Sequence, residues 1–171
     1  MSSRIIRSNG GSKLLLDNLS SLLISESINP SEEIYIISPW ITNYPLINNE
    51  NNKCSSIFPF AESNQIYLAD IIETWAWKGS KVRIICDPNN KWTQGFIDLL
   101  DNKVGNIEYK ILEDNHEKGF VTDNFYIHGS MNFTYSGIFI NGERIRITSN
   151  RSEISEVLIS IKARWKDAEK V

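Results

Sequence analysis

Between residues 116 and 143 the chain reads His-Glu-Lys-Gly-Phe-Val-Thr-Asp-Asn-Phe-Tyr-Ile-His-Gly-Ser-Met-Asn-Phe-Thr-Tyr-Ser-Gly-Ile-Phe-Ile-Asn-Gly-Glu. His116 and Lys118 are two apart, which on an extended strand puts both side chains on one face. Ser130 and Asn132 repeat that spacing one predicted strand later. Paired as a hairpin, the two strands gather an imidazole, an ammonium, a hydroxyl and a carboxamide on one patch. That set suits a phosphodiester. An imidazole attacks phosphorus or donates a proton near neutral pH. The ammonium supplies a point charge, and the hydroxyl and amide supply directional donors to phosphoryl oxygens.

These groups need a scaffold. The chain has 171 residues, 41% hydrophobic and 23% charged. That suits one domain spanning 1–171, long enough to bury a core and too short for two. The composition excludes disordered, collagen-like and disulfide-framed classes. Net charge is -3, so the chain is not a basic coat for nucleic acid, though a local basic site is compatible with it. Cys54 and Cys86 have no CxxC spacing, which argues against structural zinc and for reduced thiols. No apolar run nears the length that spans a bilayer. Arg4 and Arg7 imitate a signal n-region, but Asp17 and Asn18 interrupt the apolar run behind them, so the expected compartment is the cytoplasm.

Apolar spacing predicts helices over residues 12–27, over a segment marked by Ile66, Leu68, Ile71, Ile72 and Trp75, over 92–100 and over 152–168. Runs rich in β-branched residues predict strands at 34–37, 82–86 and 107–112, and closely spaced short strands follow residue 113. The alternation of strand and helix specifies an α/β sheet with helices on its faces. Residues 41–63, dense in Asn and Ser, read as a long loop where a partner or substrate docks.

His116, Lys118 and Asp123, followed by Gly129, Ser130 and Asn132, resemble the signature H-x-K-x4-D … G-S-x-N of the phospholipase D superfamily. Given one histidine, chance agreement at the other five positions is on the order of 10⁻⁶ from average composition. Ser38-Pro39-Trp40 and Asn132-Phe133-Thr134 are weaker matches, and Glu143 stands where relatives carry an acid. The resemblance implies a phospholipase D-like α-β-α sandwich, with a mixed sheet and helices on both faces. One departure has a structural consequence. Relatives place six residues between the motif Asp and Gly, and this chain places five. A two-residue Asp123-Asn124 turn would pair Lys118 with Gly129 and send Ser130 and Asn132 to the face opposite His116. A shared face then requires a three-residue loop or a bulge, for which Gly129 is the natural position.

By resemblance, His116 is a nucleophile that forms a phosphohistidine, and a second His116, from the other subunit of a symmetric homodimer, protonates the leaving oxygen. Lys118 and Asn132 hold the phosphoryl group and Ser130 assists. Glu143 accepts the Nδ1–H of His116, and Asp123 and Gly129 are structural. No metal or other cofactor is implied. His128, outside any H-x-K context, reads as structural. Trp40, Arg144 and Arg146 are weaker candidates for substrate contact. Half-length, one motif, no secretion signal and no membrane-binding helix favour a nuclease acting on DNA or RNA. By resemblance to small single-motif relatives, such a protein works beside protein partners in bacterial DNA modification, restriction or antiphage defence. The alternatives are an inactive nucleic-acid-binding module and a lipid phosphodiesterase.

Overall fold

The computed structural model describes residues 3–10, 13–112 and 115–170. The chain runs through β1 (Ser3–Arg7), α1 (Lys13–Ile28), β2 (Glu33–Ile37), β3 (Pro45–Asn48), a 3₁₀ turn (Glu50–Asn52), β4 (Gln65–Tyr67), α2 (Leu68–Trp77), β5 (Lys81–Ile85), α3 (Lys91–Leu100) and β6 (Asn106–Ile111). It continues through β7 (Gly119–Val121), β8 (Tyr126–Gly129), α4 (Tyr135–Phe139), β9 (Arg144–Thr148), α5 (Arg151–Asp167) and β10 (Glu169–Lys170). The eight-stranded sheet has the order β1-β9-β8-β7-β2-β5-β6-β10. β2, β5 and β6 are parallel, and every other neighbouring pair in that sheet is antiparallel.

The strands sort their side chains by period two. Ile34 and Ile36 of β2, with Val82 and Ile84 of β5, meet Leu15, Leu19 and Leu23 of α1, Ile72 and Trp75 of α2, and Phe96 of α3. Tyr35 and Ile37, with Ile85 and Val121, face Ile154, Ile161 and Trp165 of α5. β2 is therefore buried on both faces, which is why it reads as an unbroken apolar run. The expected mixed sheet between helical layers is what forms.

Several expectations shift at the edges. The first helix covers Lys13–Ile28, and Ser12 lies outside the described residues. Ile66 belongs to β4 rather than to the helix after it, which begins at Leu68. Gly79, at φ +103, ends α2 with its N–H donating to the Ala76 carbonyl at 3.1 Å. β1 was not expected. Its five residues, Ser-Arg-Ile-Ile-Arg, bury only Ile6, so no apolar face announces the strand. It forms because β9 offers a free edge, with Ile6 opposite Ile145.

Residues 41–63 are not a plain loop. Tyr44, Leu46, Ile47 and Phe58 enter the core, and β3 pairs with β4 as a separate two-stranded sheet. Asn49 is fully buried and knots the excursion together. Its Nδ2 donates to the Ser63 carbonyl at 3.1 Å, its Oδ1 accepts from Cys54 N at 3.0 Å, and its own N–H donates to Asn64 O at 2.8 Å. The Asn-rich composition thus disguises an ordered segment. Replacing the buried Asn49 by Ala removes both of its side-chain hydrogen bonds, to partners that are only partly buried, and should cost about 1 kcal/mol in chemical denaturation. An unchanged midpoint would show that the excursion does not depend on this knot.

Candidate active site

The site begins at a hairpin. Thr122 N donates to Phe125 O at 3.0 Å, closing a two-residue turn at Asp123-Asn124, and Thr122 Oγ1 accepts from the N–H groups of Asn124 and Phe125. Asp123 N donates to Ser31 Oγ at 3.0 Å, which ties the turn to the segment before β2. The register is strict: Gly119 faces His128, Phe120 faces Ile127, and Gly129 N donates to Lys118 O at 3.4 Å. Neither the three-residue loop nor an inserted residue is present. The expected correction of the one-residue deficit is therefore absent. β7 starts only at Gly119 and β8 stops at Gly129, so His116, Lys118, Ser130 and Asn132 lie beyond the strand ends, where alternation no longer dictates their faces.

Gly129 turns the chain there. Its φ is +152, and a Cβ at this position would stand 2.1 Å from the Arg144 carbonyl oxygen. Only glycine fits. Ser130 N then donates to that same carbonyl at 3.0 Å, and Met131 and Phe133 enter the core. Asn132 is carried across to the end of β2, where Ser38 Oγ lies 3.3 Å from its carboxamide oxygen. Thr134 caps α4 by accepting from Gly137 N.

His116 arrives from the other side. Its neighbours are both held from α5: Arg164 pairs with the Glu117 carboxylate and donates from Nη2 to Asn115 Oδ1 at 3.3 Å. The exposed imidazole lines a cleft of ≈ 490 Å³ with Pro39, Trp40, Cys86, Asp87 and Asn89, at the carboxyl ends of β2 and β5. Lys118 folds back, its Nζ donating to His116 O at 2.9 Å. Burial pushes the Cys86 thiol up to about 12, which leaves it an inert wall of the cleft.

Other expected contacts are not made. The Glu143 carboxylate accepts from Ser130 Oγ and from Asn141 Nδ2, and no hydrogen bond joins it to His116 among the described residues. The cause is register. Ser130 sits opposite the start of β9, so its hydroxyl meets the residue just before that strand. Arg146 is not free for substrate either, because its guanidinium forks onto Glu153. Arg144 is exposed. His128 stacks on Tyr126 with ring centroids 4.7 Å apart and faces the opposite layer. Burial, and then the Arg146 charge, hold its pKa below the ordinary histidine value.

A second cleft, of ≈ 590 Å³, adjoins the first through Trp40 and is lined also by Asn43, Asn90, Trp92, Asn132, Tyr135 and Asn141. Sequence reasoning singled out Asn132 and Trp40 and missed the rest. Asn90 caps α3, its side chain accepting from Trp92 N and Thr93 N. Among the described residues, no group of three His, Cys, Asp or Glu side chains is placed to hold a metal ion. Among them, too, no helix is long and apolar enough to cross a membrane.

A mixed sheet between helical layers is shared with solved structures. NucT from Helicobacter pylori superposes with a TM-score of 0.69 at 17% identity, covering 99% of each chain. The phospholipase D family member Nuc from Salmonella typhimurium gives 0.65 at 18% identity, over 99% of this chain and 97% of that one. TrmBL2, an archaeal chromatin protein, gives 0.51 at 16% identity, over all of this chain and 54% of its own. At these identities the likeness is one of fold. A comparison with curated protein sequences finds no match. Residues 44–165 match the family model described as cardiolipin synthase, PLD-like domain, and the chain belongs to that family.

Two outcomes follow from this geometry. Arg164→Ala should speed amide hydrogen exchange across 115–118 roughly two- to fivefold, since a half-exposed pin contributes up to about 1 kcal/mol. Unchanged exchange would mean that α5 does not hold His116. For His128, a lowered folded pKa means that the unfolded chain binds more protons below its ordinary value near 6.5, so stability falls as pH drops through that value. His128→Gln should flatten the dependence of the melting temperature on pH between about pH 5 and pH 7. A slope equal to the parent's would assign the effect to other groups.

Proposed function

We propose that this chain is a phosphodiesterase acting on nucleic acid, with His116 as nucleophile. The observation that carries the reading is convergence. His116, Lys118 and the loop bearing Asn132 all emerge near the carboxyl end of β2: His116 lines a cleft with Pro39, Lys118 precedes the Gly119 that pairs with Ile37, and Asn132 meets Ser38. In open α/β sheets, ligands bind outside the carboxyl ends of the strands. Family membership and the likeness to NucT and Nuc support the same class.

The chemistry balances as two displacements. The His116 imidazole forms a bond to phosphorus as the ester P–O bond breaks, its electron pair leaving on the departing oxygen. A second imidazole protonates that oxygen. The second imidazole, now neutral, takes a proton from water as that water attacks phosphorus and the P–N bond breaks, returning the His116 imidazole and releasing a phosphomonoester. Lys118 and Asn132 neutralise and orient the phosphoryl oxygens, Lys118 exchanging its intramolecular carbonyl for substrate. The partner subunit's His116 would serve as the acid. The mechanism needs one imidazole neutral, to attack, and the other protonated, to donate. Glu143, held to Ser130, is read as positioning that hydroxyl rather than the imidazole.

A single domain over 1–171, a symmetric homodimer, a cytoplasmic setting and chemistry without a metal complete this reading. With a net charge of -3 the chain has little non-specific pull on a polyanion, which suits an enzyme directed by partner proteins in DNA modification, restriction or antiphage defence. A second reading, a non-catalytic nucleic-acid module, draws on the likeness to TrmBL2, whose structure is described as showing a novel mode of DNA binding.

The test is hydrolysis of DNA and of phosphatidylglycerol by the purified protein in excess EDTA, beside His116→Ala and a sedimentation mass. DNA should be cleaved by a species of twice 19.6 kDa. Losing the nucleophile should reduce kcat by on the order of 10⁴ or more. Activity surviving His116→Ala, abolished by EDTA or confined to lipid would overturn the proposal. DNA bound but uncleaved would favour the second reading.

A further inference from the structure

The second cleft is built unlike the first. Trp92 and Trp40 are 66% and 50% exposed, and Tyr135 is 50% exposed, though large aromatic side chains are ordinarily drawn inside. All three line one cavity. Carboxamides stand between them. Asn43 and Asn90 have their oxygens fixed by backbone N–H groups, of Ala69 in one case and of Trp92 and Thr93 in the other. That fixes their orientation. Their NH₂ groups have no acceptor among the described residues, and Asn132 brings a third carboxamide to the same cavity. Lys91 Nζ sits 4.8 Å from the Trp92 ring centroid, so a cation already covers part of that ring.

Flat apolar faces with fixed N–H donors at their rims, continuous through Trp40 with the cleft that His116 lines, match one ligand class. We infer that this cleft stacks the unpaired bases flanking the scissile phosphate, so that the substrate is single-stranded nucleic acid. A paired base has both faces covered by its neighbours in the helix and offers none to a tryptophan. Fixed amide donors address the carbonyl and ring-nitrogen acceptors that bases present once unpaired. The Lys91 ammonium beside Trp92 neutralises the backbone as the base slides onto the ring. The inference rests on the phosphodiesterase reading only in placing a phosphate beside Asn132, and base stacking itself is measured without turnover.

The experiment is fluorescence-anisotropy titration of a labelled oligothymidylate about a dozen nucleotides long, single-stranded or annealed to its complement. Parent protein is compared with Trp92→Ala, Trp92→Phe and Trp77→Ala. Trp77 is the control: it is equally exposed but stacks edge-on to Phe60 on α2, away from the cleft. The parent should bind the single strand more tightly than the duplex. Trp92→Ala should weaken single-strand binding about 5- to 150-fold, the range for one stacked base. Trp92→Phe should retain most of the affinity, and Trp77→Ala should match the parent. Equal affinity for both forms, no binding at all, Trp92→Ala binding like the parent, or Trp77→Ala weakening equally would each overturn the inference. Trp92-dependent single-strand binding without any cleavage would support it while removing the phosphodiesterase reading.

Discussion

The pairing of β7 with β8 is the constraint from which the rest follows. A turn of two residues, Asp123 and Asn124, leaves no slack, so Gly119 must face His128 and Lys118 must face Gly129. Sliding that register by one residue would turn every core side chain of the hairpin outward. Phe120, Phe125 and Ile127, all buried in the larger core, forbid it. The motif therefore cannot be brought together inside the sheet. Its residues lie outside the sheet instead, beyond the early ends of both strands, with a glycine at the exit from β8.

That solution transfers the work of positioning from strand geometry to side-chain contacts. Arg164 pins the residues on either side of His116 to α5, and Ser38 receives Asn132 at the end of β2. Ser130 is taken by Glu143. These contacts are few and lie near the surface, so the imidazole and the Asn132 amide hang from a rigid sheet by short tethers.

Much of this was legible in the sequence, for reasons that can be named. β2 and β5 announce themselves because burial on both faces demands Ile-Tyr-Ile-Ile and Val-Arg-Ile-Ile. The residues at 116, 118, 130 and 132 stand out in the sequence because the phosphoryl chemistry proposed for them restricts residue type as well as spacing. β1 was not, since a strand that buries one residue in five leaves no pattern. Nor was the packing of residues 41–63, where one buried Asn49 resembles the six or so solvent-exposed polar residues around it until its partners are seen. The Glu143 partner was misassigned because proximity to Ser130 is a property of register across β8 and β9, which no local sequence states.

The aromatic cleft was hidden for a related reason. Trp40 follows β2, Trp92 opens α3 and Tyr135 opens α4, so three unrelated loops supply one surface. Both clefts meet at Trp40, and the proposed claim on nucleic acid rests on them.

The most direct measurement on that claim is peptide mass spectrometry after rapid alkaline quenching of the protein during turnover of a phosphodiester, conditions in which a phosphorus–nitrogen bond persists. The mechanism predicts one phosphorylated peptide, modified at His116. Turnover with the adduct on Ser130, or with no protein adduct at any quench time, would contradict it.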